Sequence, residues 1–270
     1  MSHVYTLEEN YEDIADAIRE KLGVQTTYKP GEMAAAISSI SGGGSGNWAE
    51  VLSGNSTELV DNEITALRNY ALGVTGNVTG RGYLTTVSLP SVTRIGDYGF
   101  SYQTKLASAV FSPELSHIGS YAFSNCGKLT ELYCKNVTDI SQNAFYYCTS
   151  LREVIMPQSL RIPQYVCGFC SSLVKADFGS ENNSTIGNGA FSGCDSLETL
   201  VIRKTNAVLT GRSTMFTSSS PIAQGTGYIY VPSALVNSYK VANYWSSYAN
   251  QIRAIEDYST DGTVDGDIIV

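Results

Sequence analysis

Leucine recurs at Leu84, Leu106, Leu129, Leu151, Leu173 and Leu197, in steps of 22, 23, 22, 22 and 24 residues, and this period limits the possible folds more than any other feature. Isoleucine keeps the same phase at Ile95, Ile118, Ile140, Ile162 and Ile186. Phenylalanine follows at Phe100, Phe123, Phe145 and Phe191, with Cys167 in the slot of the fourth unit. Three residues on come Cys126, Cys148, Cys170 and Cys194, with Gln103 in the first unit. A unit this short closes no core by itself, so successive turns must stack and share one interior column. Each unit is expected to open on a strand with Leu129, Leu132 and Cys134, or Leu151, Val154 and Met156, facing inward. A helical or irregular return segment then carries the inward Phe and Cys. Strands of successive turns pair in parallel about 4.8 Å apart, so six make an arc roughly 25 Å long.

The flanks read differently. Ile64 to Leu72 mirrors Ile95 to Phe100 as a degenerate first unit, set off by a glycine-rich insertion from Gly73 to Gly82. Tyr228 to Val231 reads as a strand, and Pro232 to Val236 and Trp245 to Ile252 as short helices that seal the last turn. At the front, Thr6 and Glu9 form a capping box, and Tyr11, Ile14, Ala15, Ile18 and Leu22 share one helix face that ends at Gly23. A second helix begins near Pro30 and aligns Met33, Ile37 and Ile40. The fold class expected is an α/β solenoid with a two-helix module in front and an α/β cap behind. Its parts are a helical attachment module over 1–40, a flexible linker over 41–48, an N-terminal cap and degenerate repeat over 49–83, regular repeats over 84–203, a C-terminal cap over 204–257 and an acidic flexible tail over 258–270.

The formal net charge of −8 is confined to the ends: residues 41–250 hold thirteen acids and thirteen bases. A neutral solenoid offers no field for nucleic acid or an anionic membrane. No stretch has the apolar length of a membrane span, and the first residues lack a basic segment and apolar run, so export through a secretory leader is not expected. Cys167-Gly-Phe-Cys170 has redox spacing, yet both cysteines fall in inward slots and read as core. Zinc would need two close ligand pairs, and the histidines are His3 and His117 alone, with no nucleophile motif beside His117. Glu131 and Glu153 share a strand row with Lys175, which is expected to neutralise Glu153 rather than leave a catalytic carboxylate pair. No catalytic residue, metal or cofactor is expected.

The motif Ile-Gly-x-x-Ala-Phe-x-x-Cys-x-x-Leu, closest at Ile118 to Leu129 and Ile186 to Leu197, resembles the BspA-like class of bacterial leucine-rich repeats over about residues 58–203. The other units depart from it: Gln103 lacks the thiol, Ser141 and Pro163 replace the glycine, and Cys167 replaces Phe. Ile14 to Lys21 followed by Tyr28 to Ile37 resembles the start of tail and baseplate-associated proteins of phages and prophages in Gram-positive gut bacteria. Gly227 to Val236, Trp245 and Ile252 to Glu256 resemble the C-terminal cap of leucine-rich-repeat proteins from that setting. These resemblances imply a non-enzymatic virion component assembled in the host cytoplasm, homo-oligomeric as virion parts are. It would attach to other tail or baseplate proteins through Tyr11, Ile14, Ile18, Leu22, Met33 and Ile37. The alternative is an adhesin or interaction protein at the bacterial cell surface.

A partner, either a host-surface protein or a glycan, is expected on residues left outside the column. One outward strand row is Ser88, Val110, Tyr133, Ile155, Asp177 and Val201; its neighbour is Thr86, Ser108, Glu131, Glu153, Lys175 and Thr199. The return segments add Tyr102, Asn125, Tyr147, Phe169 and Gly193, with Tyr146 adjoining, and a row of Tyr70, Tyr98, Tyr121 and Tyr165. The eighteen tyrosines suit contact surfaces, because a rigid amphipathic ring adds area at low entropy cost. The same rings could equally cover the edges of the core.

Overall fold

The computed structural model describes residues 56–62, 64–67, 72, 82–132, 134–179, 185–204 and 206–258. The attachment residues Tyr11, Ile14, Ile18, Leu22, Met33 and Ile37, the linker, Tyr70, Tyr133 and the acidic end lie outside them. Within them the chain is a stack of turns, each bonded to the next along three rows.

The first row holds the strands that carry the leucine pattern. Strands β1 (Glu58–Val60), β3 (Thr86–Leu89) and β5 (Ser108–Phe111) form one parallel sheet. Strands β8 (Glu153–Met156), β9 (Lys175–Phe178), β10 (Thr199–Ile202), β11 (Tyr228–Val231) and β12 (Ile252–Ala254) form another. Between them, Leu132 and Cys134 are buried as the alternation requires, but the described residues there form no strand; the Arg152 N–H still reaches the Thr130 carbonyl at 3.1 Å. The second row was not anticipated. It consists of two-residue strands ending on the motif isoleucine: β2 (Ala66–Leu67), β4 (Arg94–Ile95), β6 (His117–Ile118) and β7 (Asp139–Ile140). Leu67 pairs with Ile95, so the degenerate first unit is a true turn of the stack.

The third row runs along the return segments, which are chains of tight turns rather than helix. Tyr98, Phe100 and Tyr102 donate their N–H groups to the carbonyls of Ser120, Ala122 and Ser124 on the next turn, at 2.8, 2.7 and 2.7 Å. The intervening N–H groups of Gly99, Ser101 and Gln103 close turns on Gly96, Tyr98 and Phe100 of their own segment. This alternation needs two left-handed residues per turn. They are Tyr98 and Tyr102, Tyr121 and Asn125, Asn143 and Tyr147, Tyr165 and Phe169, then Gly189 and Gly193, with φ between 47 and 75°. A non-glycine residue costs about 1–2 kcal/mol there. The inter-turn hydrogen bonds, each worth about 1 kcal/mol, and the burial they organise offset that cost.

Inside, Phe100, Phe123 and Phe145 stack at 5.3 and 5.7 Å, and Phe191 and Phe216 at 6.3 Å. The thiols of Cys126, Cys148 and Cys170 donate to the Phe100, Phe123 and Phe145 carbonyls at 3.1, 3.0 and 3.0 Å, and Cys194 to the Cys167 carbonyl at 3.0 Å. Gln103 does the same work with an amide: its Nε2 donates to the Leu72 carbonyl at 2.6 Å, while its Oε1 accepts from the Leu84 N–H at 3.3 Å. Its departure from the motif therefore keeps the donor and adds an acceptor.

The last turns close the column. A short helix α1 (Pro221–Gln224) starts on Ser220, whose Oγ accepts from the Ala223 N–H at 3.2 Å, and ends on Gly225 at φ 86°. After β11, a 3-10 turn (Ser233–Leu235) leads into α2 (Val236–Val241), and a second (Ser246–Tyr248) follows the fully buried Trp245. Trp245 Nε1 donates to the Leu209 carbonyl at 2.6 Å, and Tyr239 Oη accepts from the Leu209 N–H at 3.0 Å. Two large side chains thus plug the end while satisfying both backbone polar groups of the buried Leu209. The helix expected up to Ile252 stops earlier, because Ile252 pairs with Ile229 as one more parallel strand.

Candidate interaction surface

The outward strand face divides into an open half and a covered half. Val60, Ser88 and Val110 lie side by side in register on β1, β3 and β5, and Val110 is 52% exposed. Ile155 is half-buried, and Glu131 and Glu153 are exposed without a bonded partner among the described residues. Val60, 37% exposed, joins the row beside Ser88 although it lies outside the regular repeats; its place there could have been inferred by extending the period one turn back.

Further along, the expectation of an outward row fails. Asp177, Val201 and Thr199 are 4%, 1% and 5% exposed. The cause is the last turn among the described residues (Ile255–Asp257), which delivers Tyr258 onto this face. Tyr258 is buried against Val201 and meets the Tyr230 ring edge-on at 4.8 Å, with Tyr228 and Ile255 packed around them. Tyr258 is therefore part of the cap and not of a flexible tail. Asp177, taken out of water, is held by both arms of Arg203, Nε to Oδ1 at 2.7 Å and a terminal nitrogen to Oδ2 at 2.8 Å. That pairing raises the Arg203 guanidinium above its ordinary value, against the opposing effect of burial.

Lys175 also departs from its expected role. It stands opposite Glu153 in the β8–β9 register, but its ammonium lies 5.2 Å from the centre of the Tyr258 ring and no ion pair joins it to Glu153 among the described residues. A partly desolvated cation gains more over a ring than beside an exposed carboxylate.

On the return face, Tyr147 and Phe169 stack at 4.7 Å with planes 6° apart. Tyr146 stands edge-on to Tyr147, Phe169 and Tyr165 at 4.8, 5.5 and 5.9 Å. Burial and the neighbouring phenols raise the Tyr146 hydroxyl above its ordinary value. Tyr102 is half-buried at the same slot two turns earlier, and Tyr98 and Tyr121 form a separate stacked pair at 4.9 Å. The rings lean onto glycines: a Cβ on Gly168 would be 2.9 Å from the Tyr146 ring, and one on Gly193 would be 2.6 Å from that of Phe169.

The remaining chemistry is structural. All six thiols are buried and unbridged, and burial drives those of Cys126 and Cys134 upward, as it does Cys148, Cys167 and Cys194 with help from neighbouring thiols. The Cys167–Cys170 spacing thus falls in a dry interior, where burial disfavours the Cys167 thiolate. His117 Nδ1 lies 2.8 Å from Asp139 Oδ2, and Arg161 bonds the other carboxylate oxygen, so three turns are laced together at one variable slot. Among the described residues no group of three or more His, Cys, Asp or Glu could hold a metal ion, and no helix is long and apolar enough to cross a membrane.

A period near 22 residues, parallel ladders and inward Leu, Ile, Phe and Cys columns together specify one repeat type. Residues 80–198 match, in six copies, the family model described as BspA type leucine rich repeat region. These residues match the BspA-type leucine-rich repeat. The BspA-type repeat region also has solved structural neighbours. A leucine-rich repeat protein from Bacteroides ovatus is 20% identical at a TM-score of 0.42, covering 65% of this chain and 50% of its own. The T. pallidum leucine-rich repeat protein is 21% identical at 0.38, covering 70% of this chain and 90% of its own. This chain thus spans about half the length of the Bacteroides ovatus protein. A search of curated proteins finds no match. BspA-type repeats generally serve as interaction scaffolds rather than catalysts, and the open strand half is a surface suited to that use.

Proposed function

We propose that this protein is a non-enzymatic binding component that takes a protein partner on the open half of its outward strand face. The observation that carries this reading is Val110, 52% exposed and in register with Ser88 and Val60 on an outward row that the chain itself covers further along with Tyr258. A face that buries an aromatic residue of its own at one end is suited to burying another's at the other. The place of action we assign is a phage tail or baseplate, where residues 1–40 attach to the particle and the repeats meet the host surface. The resemblance of Ile14 to Ile37 and of Gly227 to Glu256 to such proteins supports that placement.

Both levels can be tested with particles purified from an induced lysate. Deleting residues 1–40 should abolish incorporation into particles while the purified repeat domain keeps its cooperative unfolding transition. Val110→Asp should leave incorporation intact and cut the binding of purified protein to intact host cells about tenfold or more. Normal incorporation of the deletion variant would remove the virion reading. Undiminished cell binding by Val110→Asp would remove the strand face.

A further inference from the structure

The open half of the strand face carries an unbalanced charge beside its apolar side chains. The Arg152 N–H bonds the Thr130 carbonyl at 3.1 Å, as the Val174 N–H bonds the Arg152 carbonyl at 2.8 Å, so Glu131 stands beside Glu153 as Glu153 stands beside Lys175. Neighbouring turns are about 4.8 Å apart, which sets two like charges side by side at a cost. Both carboxylates are exposed, and neither has an ion pair or hydrogen bond among the described residues. The cations adjacent to Glu153 in register and in sequence do not answer them. Lys175 lies 5.2 Å from the centre of the Tyr258 ring, and the exposed Arg152 pairs with no carboxylate among the described residues. Two residues along β8 from Glu153 comes the half-buried Ile155, in phase with Val110, which is 52% exposed. Building on the binding role proposed for this face, we propose that its partner is a protein segment with an arginine beside a large apolar side chain. The guanidinium sits on Glu131 and Glu153, and the apolar side chain on Val110 and Ile155.

Charge fixes the sign of that partner. A nucleic acid or an acidic glycan would bring further anions to an unneutralised carboxylate pair, and a neutral sugar would leave the pair as it is. Arginine fits better than lysine, because a planar fork of N–H donors can bond two carboxylates one turn apart, whereas an ammonium is a point charge. The covered half shows why an apolar group accompanies the cation. There Lys175 continues the glutamate row, and Tyr258 packs on Val201 in the row beside it. The chain thus supplies a cation and a ring at the covered end, while Glu131 and Glu153 receive no cation at the open end. Spacing agrees with an extended partner: side chains two residues apart on a strand share one face about 6.6 Å apart, the separation that relates Glu153 to Ile155.

Selection of a random library of short peptides on the purified full chain tests this. Enriched peptides should carry arginine two positions from an aromatic residue, leucine or isoleucine, and the enrichment should vanish on the double variant Glu131→Gln with Glu153→Gln. Both side chains are exposed and unbonded among the described residues, so that variant should melt no lower than wild type. In fluorescence anisotropy an enriched peptide should bind it about tenfold or more weakly, and lose most of its dependence on sodium chloride concentration. Glu198→Gln with Glu256→Gln, which removes the same charge at the covered end, should bind as wild type. Peptides that bind wild type and the Glu131–Glu153 variant alike, yet lose binding to Val110→Asp, would overturn the partner's charge and leave the strand face standing. Peptides indifferent to Val110→Asp as well would remove the strand face itself. Enrichment of acidic peptides, or of none, would overturn the proposal.

Discussion

A Cβ on Gly187 would lie 2.2 Å from the Gln164 nitrogen and 2.2 Å from the Pro163 carbonyl carbon, so two turns of backbone touch at that residue. Gly119 meets Asp97 and Gly96 in the same way, at 2.5 and 2.6 Å. Gly187→Ala should therefore destabilise by about 3 kcal/mol, seen as a lower urea midpoint. Gly127→Ala, whose nearest neighbour is the Thr149 hydroxyl at 3.3 Å, should cost under about 1 kcal/mol. Equal midpoints for the two variants would show that the turns are not in contact there. The motif glycine could be read from the repeat, and its cause could not: it serves close approach and not a left-handed φ. Nothing in the structure explains why Ser141 and Pro163 are accepted at the same slot. The truly left-handed positions were hidden, because Tyr98, Tyr121, Tyr165 and Phe169 look like packing residues and give no glycine signal. Gln103 likewise read as a lost thiol, since only coordinates show which carbonyl its amide reaches.

Along a single row of the stack, a slot that varies in sequence can still bind turns together. Arg94, His117, Asp139, Arg161 and Thr185 share no side-chain type, yet His117 and Arg161 converge on Asp139 from either side. Burial alone would raise the Asp139 carboxyl, but the hydrogen bonds from Arg161 and His117 outweigh it and hold the group below its ordinary 3.8. A depressed folded-state value stabilises the protein fully above 3.8 and loses that contribution as pH falls through the folded value. The carboxylate is 39% exposed, so the contribution is at most about 1 kcal/mol. Asp139→Asn should be less stable than wild type at neutral pH, and the gap between their urea midpoints should close as the solution is acidified. A gap that stays constant with pH would exclude the carboxylate as its source. The inward columns were readable because side-chain type alone marks them; this ladder was not, because its members differ in charge and share no type.

For the molecule as a whole, the two halves of the strand face differ in what protects them. Asp177 is nearly dry and depends on Arg203 for its charge balance. Arg203→Ala should cost about 3 kcal/mol by leaving a buried carboxylate unpaired, and the double variant Asp177→Ala with Arg203→Ala should recover most of it. A double variant no more stable than the single one would mean that the pair is not what holds the cap. In a stack where each turn touches only its neighbours, hydrogen exchange in Arg203→Ala should quicken first in β10–β12. The cover over Val201 escaped the sequence reading because it depends on one tyrosine beyond the periodic region, and no pattern announces where a single ring will land.

The donor thiols have a consequence for where such a chain can work. Cys126, Cys148, Cys170 and Cys194 fasten neighbouring turns without any covalent link between sulfurs. A reductant finds no bond to cut, and an oxidant finds no accessible sulfur until the turns separate. The same fastening therefore holds inside a reducing cell and outside it, and a chain folded in one medium reaches the other already mature.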